Sequence, residues 1–195
     1  MDTELRRENL HPSLTECAAE SARVAAGVGP ERLGAPSGCA GWDVRTLVNH
    51  WVLHGAHGLE HRALRTPLPD ALTARDFTAD PGWAADFAAR LDIAVAAWAG
   101  PAVWEGEIDL GFARQAAPEV ASLLLLELAL HGWDVARATG QDFKVSDATG
   151  RLVLDVVTDN AATYRQYEGF AEAVPPADGA TAFTRALALS GRDPR

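Results

Sequence analysis

The sequence predicts an all-α protein, a four-helix bundle with an additional C-terminal helix and at most a short extended segment. Three observations carry that expectation. Apolar residues recur every three or four positions through most of the chain, the period of amphipathic helices. Gly and Pro punctuate these stretches at intervals that leave room for helices and short connections. Only VWEGEIDLGF (103–112) has the composition of a strand. With 195 residues the chain is long enough to bury a core without covalent staples, and no linker or repeat divides it, so residues 1–195 are expected to form one domain.

Leu14, Cys17, Ala18, Ser21, Val24, Ala25 and Val28 trace one helical face, which Gly29-Pro30 ends. ERLGAPSGCAGW (31–42) is a turn-rich connection. Asp43 has the identity and position of an N-cap for a second helix over about 44–64, closed by Pro67 and Pro69. Trp83, Phe87, Leu91, Ala94 or Val95, and Trp98 form the stripe of a third, which stops at Gly100-Pro101. Pro118 or its neighbours open a fourth helix that is apolar nearly all round, hence central, and Gly140 closes it. A fifth, about 147–165, takes Ser146 as N-cap and turns Leu152, Val153, Val156, Val157, Asn160 and Tyr164 inward. The tail is expected to hold a short helix and a loop.

Composition excludes several functions. The net charge is −10, and sixteen arginines and one lysine (Lys144) form no cluster, which disfavours nucleic acid and anionic membrane surfaces as partners. Cys17 and Cys39 are too few for a disulfide framework and too far apart for a CxxC site; both read as buried or bystander thiols. The N-terminal residues show no secretory signal, and the longest apolar run is broken by Glu127, His131 and Asp134, so a soluble cytoplasmic protein is expected. No glycine-rich phosphate loop or nucleophile elbow is present.

The informative stretch is LLLLELALHGWDVARATG (123–140). Glu127 and His131 lie four residues apart, about 40° around a helix, on one face of a leucine-rich segment. A carboxylate expected to be buried there needs a partner. The second helix supplies candidates, because His50, His54, His57 and His61 follow 4-3-4 spacing and form one stripe within about 60°. Facing helices of a bundle can assemble a metal site from such residues. Two imidazoles and a carboxylate suit zinc and leave a position open for chemistry, while nickel, iron or manganese tolerate the same donors. Spacing alone does not choose among the histidines. Asp134, one turn beyond on the same face, reads first as a structural hydrogen-bond or salt-bridge partner and second as a group orienting a ligand. Arg137 reads as a helix C-terminal cation, and Trp51 and Trp133 as core or pocket wall.

GWDVRTLVNH (41–50), ELALHGWDVARATGQ (127–141) and the terminal GRDP (191–194) together resemble the DinB-like metalloprotein superfamily. More narrowly, they resemble the metal-binding domain of mycothiol-dependent maleylpyruvate isomerases and related actinobacterial proteins. The resemblance implies a four-helix core and one divalent metal held by His50, Glu127 and His131, with His54 as runner-up to His50. The donors make zinc the first expectation for that metal and nickel the second, and the resemblance implies mycothiol or a similar thiol as cosubstrate acting on an electrophilic substrate. His57 and His61 are expected to trail away from the metal. Asn49 and Trp51 replace smaller residues of the pattern, and the isomerase has an additional C-terminal α/β domain that helps form its active site. Thiol-dependent reactivity without efficient maleylpyruvate isomerisation is therefore expected. A homodimer could cover the remaining apolar helical faces. A metal-dependent hydrolase and a non-enzymatic metal- or ligand-binding bundle are the alternatives.

Overall fold

Helix α1 spans Thr3–Ala26 and begins upstream of the apolar stripe that marks it in the sequence. A computed structural model of the chain describes residues 3–195, with side chains from Glu8 onward. The second rod is built of α2 (Val44–Trp51), a π-helical segment (Val52–Gly58) and α3 (Leu59–Ala63). After a one-turn α4 (Asp70–Thr73) come α5 (Trp83–Ala97), α6 (Ala117–Thr139), α7 (Asp147–Gln166) and α8 (Ala182–Leu189). α1 packs along α5 and α6, α2 lies against α6, and α8 covers α7. The expected all-α bundle with a C-terminal helix is the architecture observed.

The helix signals act where the sequence puts them. The Asp43 carboxylate accepts the Thr46 N–H at 2.8 Å, and the Ser146 hydroxyl accepts that of Thr149 at 3.3 Å. Each satisfies a backbone donor that the first turn would leave orphaned. Pro118 lies in the first turn of α6. Gly140 closes that helix at φ 75°, the left-handed conformation that glycine reaches without a Cβ clash.

Two elements depart from expectation. The segment 103–112 is extended only at Glu107–Asp109 (β1), which pairs antiparallel with Arg114–Ala116 (β2) around Gly111 at φ 88°. The second strand has no signal in the sequence, because three residues carry no readable alternation. The second departure is the π segment inside a rod expected to be regular. A π turn takes up more residues than an α turn, so the even angular spacing of the four histidines does not hold through it. Here Gly55 meets α6 so closely that an added Cβ would stand 3.0 Å from Leu128 Cδ2. Trp51, one turn earlier, stays fully buried with its ring 4.8 Å from Phe87. Close approach at Gly55 brings the second rod and α6 within side-chain reach.

Gly132 has a similar role beside His131. A Cβ there would lie 2.3 Å from Phe143 Cε2, inside a buried ring. Gly132→Ala is expected to overpack this contact and cost about 1–3 kcal/mol. Thermal melts check this at roughly 2–4 °C per kcal/mol; an unshifted midpoint would mean that Phe143 moves aside freely.

Candidate metal centre

His50 lies in the last turn of α2, and Glu127 and His131 lie one turn apart on the facing side of α6. Their donor atoms converge: His50 Nε2 is 3.1 Å and His131 Nε2 is 3.6 Å from Glu127 Oε2. All three donors lie within 4.8 Å of one another. Donors held about 2.0–2.1 Å from a tetrahedral zinc stand roughly 3.3 Å apart, so the 3.1 and 3.6 Å separations from Glu127 suit two edges of one coordination sphere. The donor chemistry fits as well, with two imidazole nitrogens and one carboxylate oxygen. Glu127 is less enclosed than its leucine surroundings suggested, since a quarter of its side chain remains exposed, as does 28% of His50. The leucines pack to either side while the carboxylate faces an opening.

The remaining histidines separate. The His54 ring lies 4.4 Å from that of His50 but is outside the converging set. Burial, reinforced by His50, holds it below the usual histidine range. His57 stacks on Phe77 at 5.4 Å, and His61 Nδ1 pairs with the Thr66 hydroxyl at 2.9 Å. Arg137 bonds the Arg195 carbonyl, Trp51 is core, and Trp133 is half-buried against it.

His131 is held from behind. Its Nδ1 lies 3.1 Å from Asp134 Oδ2, and because a carboxylate only accepts, Nδ1 carries the proton. The outer nitrogen is thereby fixed and Nε2 is aimed at Glu127. Asp134 is itself gripped on both oxygens by Arg192, through Nε at 2.8 Å and Nη2 at 2.7 Å. Gly191, at φ 86° and pressed against Ala171, makes the turn that delivers Arg192. The Cys39 thiol donates to Asp134 Oδ2 at 3.5 Å, so this cysteine supports the site and is no bystander. Cys39, His131 and Asp134 form a second cluster of ligand-type atoms. The Arg192 fork across both Asp134 oxygens marks it as support for the first cluster.

One wall comes from the connection before α2. Gly38 and Gly41 take φ 86° and 77°, and the Ser37 hydroxyl donates to the Trp42 carbonyl at 2.9 Å. The loop so tied places the Trp42 ring 5.0 Å from His50 and 6.3 Å from His131. Tyr164 of α7 stacks on Phe170 at 4.6 Å; burial and the Glu127 charge push its phenol up to about 12.

The electrostatics follow from this wiring. Burial raises the Glu127 carboxyl, but the His50 hydrogen bond and the His131 charge outweigh it and hold it below the carboxylate range. Burial likewise works against charge on His131 and Asp134. Bonds to Asp134 and Cys39, with the Glu127 charge, nevertheless lift His131 to about 9, and Arg192 with His131 depresses Asp134. His131 therefore contributes stability that is full below its ordinary value of 6.5 and lost as pH rises through about 9. Chelator-treated protein should melt progressively lower across that window, and His131→Gln should flatten the slope. A melting temperature independent of pH there would contradict the Asp134–His131 pairing.

Residues 14–136, well over half of the chain, match a family model described as the mycothiol maleylpyruvate isomerase N-terminal domain. No curated protein and no solved structure matches.

Proposed function

Because the chain belongs to the mycothiol maleylpyruvate isomerase N-terminal domain family, we propose that it is a metal-dependent protein that uses a low-molecular-weight thiol. His50, Glu127 and His131 would hold one divalent ion, with zinc the best match to the donors. The single observation that supports this most is the convergence of two imidazole nitrogens on one Glu127 oxygen, at 3.1 and 3.6 Å, beside an opening to solvent. Three protein donors leave a position for an incoming ligand. A bound divalent ion supplies positive charge that favours the thiolate form of a thiol at neutral pH.

The chain's own residues set the rest. Asp134 and Arg192 keep His131 in one tautomer and one orientation, which removes reorganisation when ligands exchange. Trp42 covers one side of the imidazoles and limits access of bulk water. His54 sits next to the donors in its neutral form, within reach of a molecule entering beside His50. A thiolate presented there would add to an electrophilic substrate, giving S-transfer or, after elimination, isomerisation.

No described helix is long and apolar enough to cross a membrane. The working environment proposed is the cytoplasm, where reduced thiols are abundant.

The test is spectroscopic. Cobalt(II) would be loaded in place of zinc and mycothiol titrated in. A sulfur-to-cobalt charge-transfer band that rises and saturates is the expected result. Ordinary d–d bands unchanged by thiol would overturn the thiol role and leave hydrolytic or structural use of the ion.

A further inference from the structure

A cavity of about 290 Å³ opens between the π segment and α5. It is built separately from the metal centre: His57 and Val52 of the π segment reach it, whereas His54 faces His50. Its floor is aromatic and buried, formed by Phe77, Trp83 and Phe87 with Val52 beside them. Its rim is polar, with Arg75, Arg90, His57 and Asp86. The volume is at the lower end for small-molecule sites, the scale of one ring with a short polar chain.

The rim charges decide what would fit. Arg90 is paired with Glu60 through Nη1 at 2.9 Å, which neutralises it. Arg75 lies over the Phe77 ring, its guanidinium carbon 5.2 Å from the centroid, and has no carboxylate partner among the described residues. Asp86, on the first turn of α5, is exposed and has no cationic partner among them. His57 stacks on Phe77, and burial followed by the Arg90 charge keeps it below the usual histidine range, so it adds a neutral polar edge. One unpaired cation and one unpaired anion therefore border an aromatic floor. An acid alone would leave Asp86 as a repulsive neighbour, and an amine alone would meet Arg75. A molecule bearing both charges satisfies both groups.

We infer that this cavity binds a small aromatic zwitterion, of the class of free aromatic amino acids, with the ring against Trp83 and Phe87, the carboxylate at Arg75 and the ammonium at Asp86. The site is independent of the metal chemistry, and the inference stands whether or not the thiol reading does.

Calorimetric titration tests it, using L-phenylalanine as probe against chelator-treated Glu127→Ala protein, so that chelation of a metal by the amino acid does not contribute. Saturable binding is expected, weakened about tenfold or more when the ligand is 3-phenylpropionate or phenethylamine, each of which loses one charged contact. Arg75→Ala should reduce L-phenylalanine to the affinity of phenethylamine, and Asp86→Ala to that of 3-phenylpropionate. Both side chains are exposed, so neither variant threatens the fold. Ala89→Trp, also at an exposed position, should fill the cavity and abolish binding. Absence of binding at millimolar probe would overturn the assignment, as would equal affinity for the three ligands or full affinity in Ala89→Trp.

Discussion

Glu127→Ala is expected to take bound zinc from about one equivalent per chain to none that survives desalting, the largest single effect foreseen for this protein. The glutamate lies between the two imidazoles, 3.1 and 3.6 Å from their nitrogens, so its loss removes the one anionic donor and leaves two neutral ones. Helix content should persist, because the Glu127 side chain is a quarter exposed and replacing it opens no cavity in the leucine packing. Metal analysis with far-ultraviolet circular dichroism reads both. His50→Ala and His131→Ala should each weaken the ion strongly, while His57→Ala and His61→Ala should leave it in place. If the triple variant lacking His50, Glu127 and His131 still carried a full equivalent, the ion would be bound elsewhere.

The second large effect is expected at Arg192, far from those three residues in sequence. Arg192 and Asp134 retain only 14% and 7% of their side-chain exposure, and the pair is bidentate. Removing one member leaves a buried charge uncompensated, a loss of about 3–5 kcal/mol. His131 and Cys39 also touch Asp134, which places Arg192→Ala toward the low end of that range. The variant should in addition weaken metal binding roughly 10–100-fold, because the Asp134 carboxylate that orients His131 is no longer held in place. Urea unfolding of the chelated protein separates the stability loss from the metal effect. Arg192→Ala/Asp134→Ala should recover part of the stability and none of the affinity. A loss under about 1 kcal/mol for the single variant would show that solvent replaces the guanidinium without difficulty.

Much of this arrangement can be read from sequence wherever the relevant partners are close along the chain. Glu127 and His131 are four residues apart, so helical periodicity alone puts them on one face. Asp43, Ser146 and Gly140 act on their immediate neighbours and delimit helices at the expected positions. Selecting His50 from four evenly spaced histidines needed the family resemblance, since spacing is blind to which turn faces α6. The π segment has no local signature in the sequence: it coincides with the close approach of Gly55 to Leu128, a contact between two rods. The same holds for Cys39 and Arg192, which reach Asp134 across 95 and 58 residues. A cysteine in a glycine-rich turn and an arginine near the end of the sequence carry no local signature of a shared carboxylate. The terminal GRDP phrase did hold the clue, as Gly191 supplies the left-handed turn and Arg192 the fork.

The grip of Arg192 on Asp134 has a consequence for the order of events during synthesis. A ribosome-bound chain that has emerged only through α6 already holds His50, Glu127, His131 and Asp134, yet the Asp134 carboxylate that supports His131 would not be fixed without the guanidinium that grips it. Any ion captured at that stage would exchange readily with other metals in the cell. The fork arrives with Arg192, 58 residues after Asp134, once α7 and α8 have docked and the Gly191 turn has formed. Metal retention would then mature late, after the bundle has closed, and selection of the ion would occur on the finished chain, not on the nascent one.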